Sequence, residues 1–207
     1  MNGIDEMIAQ NLKRPDSKQG GTWYIGVDPG LHGALALVDD VSGRLLACVD
    51  MPTIVKSSET RTVKGKNGKP DRKVTSERLM VSPHLLARQI DEWRSAAEVA
   101  GRRLVAVIEE VQSMPRDGAV GAFAFGKSAG LIEGVIAAAW IPIEMVRPAT
   151  WKKKAGLTAD KAVAIRKAQE RFPTHVHLFM RKKDDGRAEA SILASWAASR
   201  KGGSHDH

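Results

Sequence analysis

Acidic side chains stand at points of this chain where the surrounding sequence is otherwise apolar. Asp28 ends an apolar run over residues 23–27 and is followed at once by a Pro-Gly turn. Glu109 ends a second apolar run, over residues 104–108. A carboxylate in apolar surroundings is costly to bury unless a cation or a hydrogen-bond donor accompanies it. If the two runs are parallel neighbouring strands, both acids emerge at the same end of a sheet, where open α/β sheets bind ligands.

A third acidic group precedes the last apolar helical segment. Asp184, Asp185 and Glu189 lie in the stretch KKDDGRAEA, and the last two are four residues apart. That spacing places Asp185 and Glu189 on one face of a helix. The pattern leaves open whether Asp184 or Asp185 is the closer partner of the other acids.

Acids from three remote segments repel one another unless a cation joins them. Oxygen ligands with room for water and phosphate favour Mg²⁺, with Mn²⁺ as a substitute. Two such ions, about 4 Å apart, can activate water and stabilise the leaving oxygen of a phosphodiester. Each acid also has an ordinary explanation: a turn cap for Asp28, a strand-end charge for Glu109, and helix-dipole stabilisation for Asp184 and Asp185.

The overall charge predicts a polyanionic partner. The chain has 32 Lys and Arg against 24 Asp and Glu, a formal net charge of +8, which favours nucleic acid. No stretch approaches the roughly 18 consecutive apolar residues of a membrane span, and residues 1–21 lack the apolar core of a signal peptide. We therefore expect no membrane partner. The single cysteine, Cys48, favours a reducing, cytoplasmic setting.

Basic residues are concentrated in two segments. Residues 52–75 mix them with Gly, Asn, Pro and Ser, which predicts a flexible basic loop. Its DNA-binding candidates are Lys56, Arg61, Lys64, Lys66, Lys69, Arg72 and Lys73. In the second segment, Lys152 and Lys153 follow Trp151. These cations would neutralise phosphates that the acids alone would repel, although a solvated surface without function is the alternative for both segments.

The hydrophobic pattern predicts how these residues are positioned. Strands are expected at residues 22–28, 34–39, 44–51, 104–108 and 141–146, and helices at 82–100, from 118, 159–172 and 184–200. Three antiparallel strands followed by two parallel crossovers give an α/β fold with a five-stranded mixed sheet flanked by helices, typical of the RNase H-like class. One domain over residues 21–201 would lie between a flexible N-terminal arm (1–20) and a disordered tail (202–207).

Four blocks of the sequence resemble those of RuvC-type Holliday-junction resolvases, in particular the phage, bacterial and chloroplast branch. The blocks are IGVDPGLHGALALVD, VIEEVQSMPRDGAVGAFAFGKSAG, VRPATWKKKAGLTADKAVA and KKDDGRAEASILA. The resemblance covers about residues 22–200. The first block alone also resembles the openings of sugar-kinase and chaperone ATPase domains, whereas four blocks in order are specific to the resolvases.

The resemblance implies an RNase H-like homodimer that binds four-way or branched DNA and nicks two opposed strands with two Mg²⁺ ions per active site. Its setting would be a bacterial or phage-infected cell, with an organelle as the alternative. The catalytic residues that it implies are Asp28, Glu109, Asp185, Glu189 and Lys161, and the metal ligands are the same four acids with Asp184 as a replacement or assistant.

Four further residues are expected to support the site or contact DNA, the first two of them from the same resemblance. Lys152, with Lys161, matches the basic residues near the scissile phosphate. Glu110 falls where the family requires no acid, so we expect it to support the site or face solvent. Met114 and Pro115 are predicted to touch or wedge into bases at the crossover.

Other classes of protein share parts of this pattern. A catalytically weak branched-DNA-binding protein of the same fold would not need all of the acids, and another RNase H-like nuclease would share them. An actin-like ATPase or kinase lobe would need Ser or Thr in the first turn, where this chain has Leu31 and His32. It would normally also need a second lobe. The acids therefore favour a nuclease.

Overall fold

The computed structural model describes residues 20–64, 70–110 and 118–200. The strands are β1 (Thr22–Asp28), β2 (Ala34–Asp39), β3 (Leu45–Asp50), β4 (Thr53–Val63), β5 (Arg72–Val81), β6 (Arg103–Glu109) and β7 (Ile143–Val146). The helices are α1 (Pro83–Val99), α2 (Gly118–Ala138), α3 (Pro148–Lys154), α4 (Lys161–Arg171) and α5 (Asp185–Ser199), with short 3₁₀ segments at Pro173–Phe179 and Lys182–Asp184. The predicted arm (except Gly20) and the predicted tail lie outside the described residues.

The main sheet has the strand order β3-β2-β1-β6-β7. β1 pairs antiparallel with β2, and β2 with β3, whereas β1 pairs parallel with β6, and β6 with β7. The predicted α/β class is confirmed, with three antiparallel strands followed by two parallel ones and helices on both faces. This is the sheet expected of an RNase H-like fold.

Two apolar cores lie on the two faces of the sheet. On one face, Leu86, Ile90 and Trp93 of α1 pack with Ile132 and Ile136 of α2 against the sheet. On the other face, α3, α4 and α5 pack against alternate residues of the same strands. Because β1 and β2 are buried on both faces, they read as nearly continuous apolar runs, which is why the sequence predicts them well.

Helix α5 lies very close to β1 because Gly26 has no side chain. A Cβ atom at this position would lie 2.1 Å from the carbonyl oxygen of Ala190 and 2.6 Å from the amide nitrogen of Ala194. Both are backbone atoms of α5, so no side-chain rotation could relieve the overlap. This close packing holds the start of α5 near the end of β1 where Asp28 lies.

The prediction of a flexible loop at residues 52–75 is wrong for most of that segment. β4 and β5 form a separate two-stranded antiparallel sheet, which we call the ribbon. Most of its side chains are exposed. Because the ribbon has no apolar face beyond its base, most of its length lacks the hydrophobic alternation that identifies a strand. The signal that was available is the set of β-branched residues on both sides of Asn67-Gly68, a combination typical of hairpins.

Helix α2 buries one face and exposes the other. Ala122, Gly126, Gly130 and Gly134 are four residues apart, a spacing that predicts one slim face for close packing. A Cβ atom at Gly126, Gly130 or Gly134 would meet no atom of the described residues within 4 Å, so this face is open. Among the described residues, α2 is also the one helix long and apolar enough to cross a membrane, with 17% of the tested window buried. The core helix of a soluble protein passes the same test of length and composition, so this is weak support for a membrane span.

Candidate active site

The register of the sheet brings the first two acids together. Asp28 is the last residue of β1, and Val27 pairs with Ile108 in parallel β6. Glu109 follows Ile108 directly, so both carboxylates lie at the same end of adjacent strands. The spatial convergence predicted from their positions at strand ends is what the structure shows.

Helix α5 begins at this same end of the sheet. A Cβ atom at Gly186 would lie 2.5 Å from the carbonyl oxygen of His32 and 3.2 Å from Oδ2 of Asp28. Glycine is therefore needed for the first turn of α5 to lie against the turn after β1. The neighbouring side chains, Asp185 and Glu189, are carried to the strand ends by this contact.

Lys152 joins two of the acids. Its Nζ lies 2.7 Å from Oε2 of Glu189 and 3.2 Å from Oε2 of Glu109. Burial by itself would lower the pKa of Lys152, but its bonds to Glu189 and Glu109 outweigh this and raise the pKa above its ordinary value. The ammonium group therefore supplies the positive charge that holds the two glutamates together.

Trp151 fixes the position of Glu109 from the other side. Its indole ring is fully buried, and Nε1 donates a hydrogen bond of 2.8 Å to Oε2 of Glu109. The Nζ of Lys152 lies 5.4 Å from the centre of the same indole ring. The short helix α3 thus places an apolar anchor and a cation beside one carboxylate.

The two adjacent aspartates at the start of α5 have different surroundings. Asp185 pairs with Nζ of Lys161, at the start of α4. The bond to Asp185 raises the pKa of Lys161. Asp184 is buried and accepts hydrogen bonds from the guanidinium group and the backbone N–H of Arg181. These hydrogen bonds lower the pKa of its carboxyl group. The structure thus favours Asp185 over Asp184 as a ligand beside Glu189.

Asp28 is the carboxyl group with the most perturbed protonation. Burial, followed by the negative charges of Glu189 and Glu109, raises its pKa from an ordinary value of 3.8 to about 7. A hydrogen bond donated by the backbone N–H of Gly30 and the charge of Lys152 oppose this shift. Near neutral pH, the protein without a bound cation therefore holds Asp28 partly protonated.

This raised pKa predicts a pH dependence of stability in the presence of a chelator. The folded protein holds a proton on Asp28 that the unfolded chain releases above about pH 4. Stability should therefore fall as pH rises from about 4 to about 7, by at most about 1.4 kcal/mol per pH unit from this group, and then level off. Asp28→Asn should flatten this part of the curve and raise stability at pH 8. Urea unfolding in EDTA measures the stability of the unmodified protein and of Asp28→Asn at each pH. Parallel curves of stability against pH would contradict the raised pKa of Asp28.

The donor set suits a hard divalent cation. Asp28, Glu109, Asp185 and Glu189 offer only oxygen ligands. Burial and the charges of Glu189 and Glu109 favour the protonated form of Asp28, and a bound cation would favour its charged form instead. However, residues 20–64, 70–110 and 118–200 contain no group of three or more Asp, Glu, His or Cys side chains already close enough to share one ion. Lys152 lies between Glu109 and Glu189, so a metal ion there requires the ammonium group to move.

An open groove beside the acids carries basic side chains. It is lined by Lys152, Lys153, Thr158, Lys161 and Glu189, among others. This arrangement places the predicted phosphate-binding lysines next to one of the predicted metal ligands. Such a groove can accept a DNA backbone that approaches the carboxylates.

The other predicted residues lie elsewhere or are not described. Lys56, Arg61, Lys64, Arg72 and Lys73 are exposed on the ribbon or at its tip. Lys66, Lys69, Met114 and Pro115 lie outside the described residues, and their contacts with DNA stay a prediction. Glu110, expected to face solvent or support the site, is partly exposed and pairs with Arg147 at 3.4 Å.

Similar proteins were found among solved structures alone. No family model and no curated protein matches the chain. T. thermophilus RuvC in complex with a Holliday junction substrate aligns with a TM-score of 0.49 and 15% identity, over 88% of this chain and 96% of that chain. A Thermus thermophilus RuvC structure aligns with a TM-score of 0.46 and 14% identity, over 88% and 98%. The yeast mitochondrial Holliday junction resolvase Ydc2 aligns with a TM-score of 0.39 and 9% identity, over 98% and 89%. The fold assignment follows from the chain's own strand order.

Several residues that shape the site were missed from the sequence. Trp151 was noted as the start of a basic run, but its bond to Glu109 depends on the tertiary fold. Gly186, between Asp185 and Arg187, was a visible signal, because glycine inside a helix start often marks a close contact. Arg187 forms a bidentate pair with Asp50 at 2.5 and 2.6 Å, which ties the first turn of α5 to the end of β3.

Proposed function

We propose that this protein is a metal-dependent endonuclease that resolves four-way DNA junctions by paired, symmetric nicks. One observation carries the proposal: Asp28, Glu109 and Glu189 lie so close together at one end of the sheet that burial and the charges of the two glutamates raise the pKa of Asp28 to about 7. Three remote segments thus bring four acids together, and among the described residues only two lysines, Lys152 and Lys161, are paired with them. Such a set of acids on a chain of net charge +8 suits hydrolysis of a nucleic-acid backbone.

Each side chain has a distinct part in this reaction. Asp28, Glu109, Asp185 and Glu189 would hold Mg²⁺ or Mn²⁺, two ions per active site, which would neutralise charge and activate water at the phosphodiester. Trp151 orients Glu109 through its indole N–H. Lys152 and Lys161 lie on the groove that would hold the phosphate, where ammonium groups can neutralise its oxygens.

Binding of branched DNA without cleavage is the second candidate. The placement of Lys152 between Glu109 and Glu189 favours it, because this ion pair closes the space that a metal ion would need. The two candidates differ in one respect: a nuclease must exchange the lysine for a metal ion, and a binding protein need not.

The experiment is incubation of end-labelled four-way junctions and matched linear duplexes with the protein. With Mg²⁺, the nuclease should nick two opposed strands of the junction at symmetric positions and leave the duplex largely intact. With EDTA it should bind the junction and cut nothing. Binding without nicks across Mg²⁺ and Mn²⁺ would instead support the second candidate. Equal cutting of junction and duplex would point to another nuclease of this fold.

Paired nicks require two active sites, so we propose a homodimer that acts in the cytoplasm of a bacterial or phage-infected cell. The exposed face of α2 supports a second copy of the chain as the partner. Val120 and Phe123 are 85% and 74% exposed, and the open stripe at Gly126, Gly130 and Gly134 continues from Phe123 along the helix. Exposed apolar side chains beside small residues allow two helices to approach closely.

We expect sedimentation to report twice the chain mass of 22.4 kDa. Gly130→Leu should shift the protein toward the monomer, because a leucine side chain would enter the helix contact. Gly121→Leu is the matched control, since Gly121 is also open but lies on another face of α2. A monomer that still makes paired nicks would contradict the dimer, and equal effects of the two variants would exclude this face.

A further inference from the structure

The ribbon has two chemically different faces. Cross-strand partners point to the same face, and successive pairs alternate between faces. The pairs Ser57↔Arg78, Arg61↔Val74 and Val63↔Arg72 therefore share one side with the intervening pair Glu59↔Ser76. We call this side the arginine face. All three of the ribbon's arginines lie on it.

The opposite side of the ribbon is nearly uncharged overall. It carries the pairs Ser58↔Glu77, Thr60↔Thr75 and Thr62↔Lys73, so its one acid balances its one base. The hydroxyl groups of Thr60 and Thr75 are hydrogen-bonded to each other at 2.9 Å. Lys56 lies at the irregularity between Val55 and Ser57, outside this alternation.

The arginine face is exposed and its cations are available. Arg61, Arg72 and Arg78 are all exposed. Within the described parts of the chain, none of the three forms an ion pair with a carboxylate. With Glu59 as its one acid, the face carries a net charge of +2 from three arginines and one glutamate. Exposed, unpaired arginines can bind phosphate oxygens through two parallel N–H bonds.

The base of the ribbon lies at the catalytic end of the sheet. Asp28 pairs with Ala34, and Ala34 pairs with Asp50, so Asp28 and Asp50 are two strand spacings apart, about 10 Å. The backbone N–H of Met51 donates a hydrogen bond to the carbonyl oxygen of Gly33, and β4 begins at Thr53. The ribbon therefore leaves the sheet next to the turn that follows Asp28.

The spacing of the arginines suits a DNA backbone. Arg72 and Arg78 are six residues apart on one strand, a span of about 20 Å, and Arg61 lies between them on the other strand. A two-stranded ribbon also fits the major groove of B-DNA, which is about 12 Å wide. Three phosphate contacts along such a span hold a duplex in one orientation.

We propose that the arginine face binds the phosphate backbone of one duplex arm next to the acidic site, while the opposite face stays in solvent. This inference rests on the proposed function, because it takes branched DNA as the partner. It adds Arg78 to the expected DNA contacts and removes Lys73, which lies on the other face. The ribbon thereby sets which arm of the junction lies over the carboxylates.

The test compares two triple variants that remove equal charge from the ribbon and its tip. One is Arg61→Gln, Arg72→Gln and Arg78→Gln; the control is Lys56→Gln, Lys64→Gln and Lys73→Gln. Junction affinity is measured against KCl concentration in EDTA, where no strand is cut. The slope of log K against log salt is negative, and each lost phosphate contact reduces its magnitude by about 0.9. The arginine variant should lose about 2 to 3 in slope and at least about tenfold in affinity, and the control less than about 1 in slope.

The outcomes separate this inference from the function on which it rests. Equal losses in the two variants would overturn the arginine face, because net charge alone would then explain binding. The inference would also be overturned if the arginine variant bound the junction with the same affinity and salt dependence as the unmodified protein. If the unmodified protein binds no DNA, the proposed function itself fails. Circular dichroism checks the fold of both variants, which we expect to be unchanged because all six side chains are exposed.

Discussion

Asp28→Asn should reduce nicking of a four-way junction by at least about a thousandfold while the junction still binds. Asparagine keeps the size and the turn contact with Gly30 but removes the charge that a metal ion needs. Glu109→Gln should have a similar effect, because it removes a second ligand at the same end of the sheet. Binding should persist or strengthen, since one less negative charge then faces the phosphates.

Glu110→Gln is the matched control for these two variants. Glu110 is adjacent to Glu109 in the chain but pairs with Arg147 outside the acid cluster. Its loss should change the nicking rate by no more than about threefold, because a partly exposed ion pair contributes little. Single-turnover rates at saturating protein separate cutting from binding. If Glu110→Gln and Glu109→Gln are equally impaired, the acids do not act as a specific site.

The second large effect concerns stability. Trp151→Ala should lower the free energy of unfolding by about 3 to 5 kcal/mol, because a fully buried indole leaves a cavity. Trp151→Phe should retain much of the packing and lose the hydrogen bond to Glu109, at a cost of about 1 to 2 kcal/mol for a polar group left without its donor. Nicking should also fall in the phenylalanine variant, because Glu109 is then held less firmly.

Trp140 provides the comparison for this experiment. It is 59% exposed, so Trp140→Ala should cost about 1 kcal/mol or less. Urea unfolding at one pH, in EDTA, measures all three variants against the unmodified protein. A cost for Trp151→Ala no larger than that for Trp140→Ala would show that α3 does not anchor Glu109 through its buried ring.

The main sheet and its acids were predictable because burial leaves a clear pattern. β1, β2 and β6 are apolar runs, and a carboxylate at the end of such a run is unusual enough to mark a site. The parallel pairing of β1 with β6 then follows from the crossover through α1. The convergence of Asp28 and Glu109 is a consequence of this topology.

The surroundings of each acid were not predictable, because they depend on contacts between distant segments. Asp184 and Asp185 are adjacent and chemically identical, and only the fold shows that Arg181 takes the first and Lys161 the second. The bridge from Lys152 to Glu109 and Glu189 is similarly a tertiary contact. The ribbon was missed for another reason: two exposed polar strands carry no burial pattern.

The most direct test of the central claim is anomalous diffraction from crystals soaked in Mn²⁺. We expect manganese peaks beside Asp28, Glu109, Asp185 and Glu189, with the Lys152 ammonium group displaced from between the two glutamates. Crystals of Asp28→Asn should lose these peaks. If manganese is absent from this position at saturating concentration and Lys152 still bridges Glu109 and Glu189, the acids do not form a metal site, and the proposed nuclease mechanism is wrong.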